Sequence, residues 1–312
     1  LTWYAPILEM QTTASPSIVM FWCLTQGAIT VLQEFGTKQQ QDLFLPKMIA
    51  GDWCGTMGLT EPGAGSEVGA VQSKAFPTDT PGKYKLTGTK CFITSGDHDL
   101  AENIIHLMLA KTPGAKEGTA GISLFLVPKF WVNEDGSLGA WNDVTTMNIE
   151  HKLGIHGSST CTLSMGENNN CYGWMVGGKE VVDGRGVGMR QMFAFMNEER
   201  LNTGLFSLGC IGAAYYAALD YTKVRVQSKH STNPKGPSVR IIEHEDVRRM
   251  LLFQKSIMEA CRALIFKSYL YRDLSMDAAT PEERAYYDDM FAINNPICKA
   301  YASDMARRTT EE

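Results

Sequence analysis

The stretch from Glu61 to Gly69, EPGAGSEVG, contains the residue types best suited to holding a phosphate-bearing ligand. Its three glycines allow the backbone to approach a ligand closely and to turn N–H groups towards it. Ser66 adds a hydroxyl donor between two of these glycines. The same composition also occurs in plain surface turns, where Pro62 and the glycines would only reverse the chain. The stretch therefore has two interpretations, a ligand-binding loop and a structural turn.

Two further segments could supply side chains to a site. Cys91–Gly96, CFITSG, is typical of a short strand that ends in an aromatic residue, a threonine and a serine, which could line a pocket or simply end the strand. Met196–Arg200, MNEER, carries two carboxylates and an arginine within an apolar helical segment. Polar groups in a buried stripe are costly unless they are partnered, so this segment is either part of a site or a solvated helix face.

The spacing of the other polar residues argues against metal and dinucleotide sites. The six histidines show no HxxxH or other ligand spacing, and the eight cysteines form no CxxC pair, so we predict no metal site. Asp183–Gly188, DGRGVG, lacks the GxGxxG spacing and a βαβ context, and it indicates a loop that enters the next helix.

The elements that would position these segments change type twice along the chain. Residues 1–52 predict helices, with a break near Pro46. Residues 53–185 predict an antiparallel β-domain, and residues 186–312 predict a helical bundle that includes a helix opening at Pro281. The predicted fold class is thus α+β, with a helical N-terminal region, a central β-domain and a C-terminal helical bundle. The predicted strands are Trp53–Thr60, Ala70–Phe76, Tyr84–Thr87, Cys91–Thr94, Asn103–Ala110, Gly121–Val127, Val144–Ile149 and Thr160–Met165.

Composition limits the classes of function. The chain has 312 residues, a formal net charge of -5 at pH 7 and dispersed Lys and Arg, which disfavours nucleic-acid binding. Its unpaired cysteine spacing suits a reducing cytoplasm. No apolar run reaches about 18 residues, so we predict no membrane span. The sequence begins at Leu1 without a methionine and in mid-pattern, which indicates a fragment.

In this order, the segments resemble the acyl-CoA dehydrogenase family over nearly the whole chain. Gly58–Glu67, GLTEPGAGSE, is similar to the family's signature loop, although the family has Asp at the position of Glu67. A finer resemblance is to the larger bacterial branch that includes 3-methylmercaptopropionyl-CoA dehydrogenase. The blocks that carry it are Gly96–Ala110, Gly121–Phe130 and Asn148–Cys161.

The resemblance implies an FAD site and an acyl-CoA site. Arg225 and Gln227 fall where the family reaches the FAD of a neighbouring subunit, which implies a homodimer or a homotetramer. The residues implied to contact FAD within one subunit are Met57, Leu59, Thr60, Gly65, Ser66, Phe92, Ile93 and Thr94. The residues implied to contact the acyl-CoA are Ser66, Asn197 and Arg200.

The activity that the resemblance implies is FAD-dependent α,β-dehydrogenation of an acyl-CoA thioester, with electrons passed to an electron-transferring flavoprotein. Most members carry the catalytic glutamate in a YEGT-type segment after a GGxG segment, and neither occurs in this sequence. The base is therefore expected beyond residue 312, in a chain that lacks both ends, or at Glu199, where a few members carry theirs. Two alternatives stay open: an acyl-CoA oxidase, and a non-catalytic homologue that serves as a binding or assembly subunit.

Overall fold

The structure is a computed structural model that describes residues 2–178 and 181–312. Residues 179–180, within the predicted β-domain, and the first residue lie outside the described residues. The helices of the described residues are α1 (Tyr4–Ala14), α2 (Pro16–Val19), α3 (Cys23–Phe35), α4 (Lys38–Ala50), α5 (Gly188–Val224), α6 (Glu245–Asp277) and α7 (Pro281–Glu311). The strands are β1 (Trp53–Gly58), β2 (Lys74–Pro77), β3 (Lys83–Thr94), β4 (Asn103–Lys111), β5 (Ile122–Pro128), β6 (Phe130–Val132), β7 (Leu138–Trp141), β8 (Val144–Ile149), β9 (Thr160–Met165), β10 (Tyr172–Met175), β11 (Val226–Lys229) and β12 (Ser238–Arg240).

These elements form two compact units. The sheet unit contains Met20–Glu199, and the helical unit contains the residues up to Val19 together with Arg200–Glu312. The predicted fold class is confirmed, because helices precede and follow a central β-domain. The predicted domain bounds, 1–52, 53–185 and 186–312, stay a prediction.

An eight-stranded sheet forms the centre of the sheet unit. Its strand order is β1-β4-β5-β10-β3-β9-β8, and β2 pairs with both β3 and β4. Most neighbours are antiparallel, as predicted, but β1 runs parallel to β4, with Trp53 opposite Asn103. β4 and β5 are buried along almost their whole length, because both of their faces are covered. This explains why their sequences are continuously apolar instead of alternating.

Two glycines in the sheet unit mark close contacts between elements. A Cβ at Gly55 of β1 would lie 2.5 Å from the Cβ of Ala28, so α3 packs directly on β1 at this point. A Cβ at Gly188 would lie 2.5 Å from the backbone of Ser123, so the first turn of α5 packs directly on β5. The sheet therefore fixes the start of α5, the helix that carries the MNEER segment.

Helix α4 corrects one prediction, since it continues through Pro46 to Ala50. A proline inside a helix removes one backbone hydrogen bond. Here the helix is retained because Phe44 and Met48, on either side of the proline, are buried against the sheet unit. Thr37 caps its N-terminus, and Gly51 ends it with a left-handed backbone at φ 85°.

Strand β3 corrects a second prediction, because the two short strands expected at 84–87 and 91–94 are one strand. Gly88, which separates the two expected strands in the sequence, lies inside β3 with φ 144°. A Cβ there would lie 2.3 Å from the Ser73 hydroxyl, so the glycine is required by packing within the sheet unit.

The helical unit contains α1, the part of α5 from Arg200, α6 and α7. Glu9 of α1 accepts hydrogen bonds from the Arg262 guanidinium of α6 at 2.6–3.1 Å. The Tyr269 hydroxyl donates to the side chain of buried Asn202 at 2.7 Å. α7 opens at Pro281, as predicted, after a Thr280 cap. The unit is therefore joined by polar contacts as well as by its apolar core.

One stretch of the described residues, Pro16–Phe35, is apolar and long enough to cross a membrane, with a mean hydropathy of 1.3. Half of its most apolar window is buried inside the protein. The stretch is also interrupted by a turn between α2 and α3. Core helices and signal sequences have the same length and apolar composition, so this stretch does not by itself indicate a membrane span.

Candidate functional site

The glycine-rich loop follows directly from β1. After Gly58 the chain passes through Leu59 and Thr60 into a tight turn from Glu61 to Ala64, closed by two backbone hydrogen bonds of 3.1 and 3.0 Å. The Thr60 carbonyl accepts a hydrogen bond from the Cys91 N–H at 2.9 Å. The start of the loop is thus held beside the last residues of β3. The structure therefore places the glycine-rich loop next to the Cys91–Gly96 segment.

A buried ion pair lies under this loop. The Lys90 ammonium, in a side chain that is fully buried, donates to a Glu61 carboxylate oxygen at 2.8 Å and to the Leu59 carbonyl at 3.2 Å. The same carboxylate accepts the N–H groups of Gln72 at 2.6 Å and Ser73 at 3.1 Å. Burial opposes ionisation of Glu61, but the Lys90 charge and these hydrogen bonds outweigh it and lower the pKa of Glu61. The carboxylate therefore stays ionised beneath the loop.

The glycines of the loop have different roles. A Cβ at Gly69 would lie 2.9 Å from the Cα of Gly118, so this glycine is required by packing. A Cβ at Gly65 would approach only the Thr60 methyl, at 3.9 Å, and the φ of Gly65 is not positive. Neither packing nor backbone conformation explains a glycine at position 65. Gly65 and Ser66 are exposed, and the open space beside them is available to a ligand.

The end of β3 turns an aromatic ring outwards. Phe92 has a left-handed backbone, φ 59°, within a bulge between β3 and β9, and its side chain is 64% exposed. This conformation is strained for an aromatic residue, and such strain is common at functional sites. Ile93 is 2% exposed and belongs to the core, so any ligand contact it makes is through its backbone. Thr94 is half-buried and lies opposite Thr160.

Two buried hydroxyls lie next to Thr160 in sequence. The Oγ atoms of Ser158 and Ser159 are inaccessible to solvent and have no hydrogen-bond partner among the described residues. Buried hydroxyls are normally satisfied, so an unpartnered pair near Thr94 and Thr160 fits a place where a polar ligand binds. Both serines lie in the Asn148–Cys161 block, but they were not among the residues predicted to contact a ligand.

The other residues predicted to contact FAD lie at the end of β1 and directly after it, and they are partly or largely covered. Met57 of β1 and Thr60 are half-buried, whereas Leu59 is 8% exposed. Leu59 is therefore largely covered by the protein. Its carbonyl is already occupied by the Lys90 ammonium.

The predicted acid–base segment lies on α5. Glu199 is half-buried and ends the sheet unit, in which its charge acts on the thiol of buried Cys23 in α3. Burial, and secondly the Glu199 charge, raise the pKa of Cys23 well above its usual value. Asn197 and Arg200 are half-buried on the same helix. The carboxylate at 199 thus lies close to a buried, poorly solvated group.

Arg225 and Gln227 follow α5 in the helical unit, at the start of the β11–β12 hairpin. Both are exposed, and the Arg225 guanidinium donates to the Gln227 side chain at 3.2 Å. The His244 Nε2 atom lies 2.9 Å from the Gln227 carbonyl oxygen. The pair is therefore held on the surface of this unit, where a second molecule could reach it.

A cavity of about 1020 Å³ lies elsewhere in the sheet unit, between α4 and the β6–β7 hairpin. It is lined by Lys83, at the opposite end of β3 from Thr94. Gln40 in its lining is satisfied by three hydrogen bonds to backbone groups. The Lys83 ammonium lies 4.2 Å from the centroid of the Trp131 ring. The Gln40 amide and the Lys83 ammonium are thus met by the protein itself, and neither of them calls for a ligand in this cavity.

Comparisons with known proteins identify the class of protein. The family model described as "Acyl-CoA dehydrogenase, middle domain" matches residues 56–167, which contain the glycine-rich loop and the end of β3. The chain belongs to the acyl-CoA dehydrogenase family. The expected family is thereby confirmed.

Among the described residues, no group of three His, Cys, Asp or Glu side chains could hold a metal ion.

Two curated relatives are similar to this chain over nearly all of its length. A butyryl-CoA dehydrogenase of Syntrophomonas wolfei is 72% identical over all of this chain and 51% of its own length. The 3-methylmercaptopropionyl-CoA dehydrogenase of Ruegeria pomeroyi is 38% identical over 97% of this chain and 50% of its own. The chain thus spans about half the length of the curated relatives it matches.

Solved structures agree with the fold. The butyryl-CoA dehydrogenase of Megasphaera elsdenii matches 99% of this chain and 69% of its own, with a TM-score of 0.76 and 26% identity. An acyl-CoA dehydrogenase from Bacillus anthracis, solved in complex with FAD, matches 89% of this chain and 42% of its own, with a TM-score of 0.68 and 22% identity.

Proposed function

We propose that this protein is an FAD-dependent acyl-CoA dehydrogenase that converts an acyl-CoA thioester into a trans-2-enoyl-CoA. The observation that carries the proposal is the open space beside Gly65, where neither packing nor φ explains a glycine. A bare backbone beside an exposed serine suits close approach of a pyrophosphate. Family membership and the 72% identical relative support the same activity.

FAD would be held by the loop and the end of β3. Gly65 and Ser66 would contact its pyrophosphate, and Leu59, Thr60, Phe92, Ile93 and Thr94 would contact or flank the flavin ring, together with Met57. The outward ring of Phe92 and the unpartnered hydroxyls of Ser158 and Ser159 fit such a ligand. Arg225 and Gln227 would reach the FAD of a second subunit in a homodimer or homotetramer. When bound, FAD supplies the acceptor for the substrate's β-hydride.

The chain's own residues would bind the thioester and move a proton. Ser66, Asn197 and Arg200 would contact the acyl-CoA. Glu199 is the internal candidate for the base that removes the α-proton; the other is a glutamate outside residues 1–312. Glu199 suits this role by its position, because it is half-buried and lies between Asn197 and Arg200 on α5.

The proposal also covers the substrate, the electron acceptor and the cellular location of the whole protein. Butyryl-CoA is the first substrate to test, because the 72% identical relative is named for it. We propose that an electron-transferring flavoprotein accepts the electrons and that the enzyme works in the cytoplasm.

Titration of the apoprotein with FAD tests the cofactor site. Gly65→Ala adds one methyl group to the open space, and we expect it to weaken FAD binding at least tenfold, about 1.4 kcal/mol. Gly212→Ala is the matched control, because a Cβ there meets only ordinary contacts at 3.9 Å within the helical unit. Unchanged affinity in Gly65→Ala would contradict the proposed loop–pyrophosphate contact. Absence of FAD binding in the unaltered protein of native length would refute the cofactor.

Anaerobic mixing of the FAD-loaded protein with butyryl-CoA tests the reaction. We expect the visible flavin absorbance to bleach and a trans-2-enoyl-CoA to form. Loss of bleaching in Glu199→Gln, with FAD still bound, would identify Glu199 as the base, whereas full bleaching would move the base outside residues 1–312. Peroxide release in air would favour an oxidase, and bound FAD that no acyl-CoA bleaches would favour a binding or assembly subunit.

A further inference from the structure

The Lys90–Glu61 ion pair connects both ends of the glycine-rich loop. The ammonium binds the Leu59 carbonyl before the loop, and the carboxylate binds the N–H groups of Gln72 and Ser73 after it. Lys90 is fully buried, and Glu61 is 5% exposed. A single pair of side chains therefore fixes the path of the backbone on either side of Gly65.

Stability alone is a poor explanation for such a pair. Removing two charges from water costs several kcal/mol each, and well-packed apolar residues often serve stability as well or better. A buried polar network that is fully satisfied instead restricts the backbone to one arrangement. Both oxygens of Glu61 are used, one by Ser73 and Lys90 and the other by Gln72. The Glu61 carboxylate thus has a donor on each oxygen, and the Lys90 ammonium has two acceptors, so the network holds the backbone on both sides of the loop.

The pair also joins the two segments that would contact FAD. Lys90 immediately precedes Cys91, whose N–H donates to the Thr60 carbonyl at 2.9 Å. The strained, exposed Phe92 is the next residue. Lys90 thus links the register of β3 to the position of Leu59 and Thr60. A shift of the loop relative to Phe92 would change the width of the proposed flavin site.

We propose that Lys90 is a positioning residue: through Glu61 and the Leu59 carbonyl it holds the glycine-rich loop at the distance from Phe92 that FAD binding requires. The inference rests on the proposed function. Lys90 is buried away from the surface of the loop, so it acts through the backbone and not by touching the ligand.

The test compares stability with FAD binding in three variants. Lys90→Met leaves Glu61 buried without a counter-charge, and we expect it to destabilise the protein and weaken FAD binding. The double variant Lys90→Met/Glu61→Gln removes both charges, and we expect it to recover much of the stability while its FAD affinity stays at least tenfold below that of the unaltered protein. Lys90→Arg keeps the charge and should recover part of the affinity.

Lys111→Met is the matched control. The Lys111 ammonium also donates a hydrogen bond to the loop, to the Gly69 carbonyl at 2.7 Å. Gly69 lies after the Leu59–Ser66 segment that would contact FAD, so this hydrogen bond does not hold that segment. We expect its FAD affinity to stay within twofold of the unaltered protein, with the same visible flavin spectrum. A double variant that binds FAD with unaltered affinity and spectrum would overturn the proposal.

Hydrogen exchange of the apoprotein separates this inference from the proposed function. We expect the amides of Gln72 and Ser73 to exchange at least tenfold faster in the double variant than in the unaltered protein or in Lys111→Met. Unchanged exchange would show that the pair does not hold the loop. If the unaltered protein binds no FAD but the amides of Gln72 and Ser73 still exchange faster in the double variant, the cofactor proposal fails. The conclusion that the Lys90–Glu61 pair holds the loop would then remain.

Discussion

The buried histidine of β4 should make the protein sensitive to mild acid. His106 is fully buried and lies opposite Thr56 of β1, with 2.7 Å between its Nδ1 atom and the Thr56 hydroxyl. Burial lowers the pKa of His106 to about 3; the Asp97 charge opposes this shift, and the Lys129 charge reinforces it. In the unfolded chain the pKa returns to about 6.5. The folded state thus keeps a neutral ring where the unfolded state takes up a proton.

The sign and size of the effect follow from linkage. A histidine whose folded pKa is depressed contributes stability that is present above pH 6.5 and is lost as the pH falls towards 3. Between about pH 7.5 and pH 5 the unfolded state gains almost one proton relative to the folded state. With these two pKa values, His106 removes about 2 kcal/mol from the free energy of unfolding over that interval.

Urea unfolding at the two pH values measures this loss. His106→Gln removes the titration and keeps a polar group beside Thr56, so we expect the variant to lose about 2 kcal/mol less than the unaltered protein between pH 7.5 and pH 5. His156→Gln, which alters an exposed histidine, controls for a general effect of losing an imidazole. The reasoning is refuted if the His106 variant loses as much stability as the unaltered protein.

Two further substitutions test the packing that positions the site. The side chain of buried Asn103 bonds both the N–H and the C=O of Phe130, at 2.9 and 2.8 Å, so Asn103→Ala should lower the free energy of unfolding by about 2–3 kcal/mol in a urea titration, and an unchanged midpoint would contradict this. Gly69→Ala would bring a Cβ to 2.9 Å from the Gly118 backbone and should cost about 1–3 kcal/mol, whereas Gly65→Ala, with open space beside it, should leave stability within about 0.5 kcal/mol.

The order of elements could be predicted from the sequence because each carries its own periodicity. The helical pattern of residues 186–312 correctly predicts helices there, and Pro281 correctly predicts the start of α7. The misassigned positions are those where tertiary packing outweighs a local signal. Gly88 resembles a turn residue, but it is a glycine because Ser73 lies against it. Pro46 resembles a helix end, but Phe44 and Met48 hold the helix through it.

The candidate site was only partly accessible to sequence reasoning. The glycine-rich loop and the end of β3 were both identified, since their residue types are unusual for their positions. Their connection was not, because Glu61 and Lys90 are 29 residues apart and each resembles an ordinary surface charge. A lysine at the edge of the apolar run CFIT was the available signal for burial. The unpartnered hydroxyls of Ser158 and Ser159 depend on the packing of the whole sheet unit and have no local signature.

The distance in sequence between Glu61 and Lys90 also bears on how this loop can be inherited or transplanted. A graft of residues 58–73 into another β-protein would bring a buried carboxylate without its counter-charge, unless a lysine were supplied from a second strand. Residues 58–73 are therefore not an independent structural unit, although they are contiguous in the sequence. If the loop were exchanged between distant family members, we expect it to keep its conformation only when β3, which carries Lys90, is exchanged together with it.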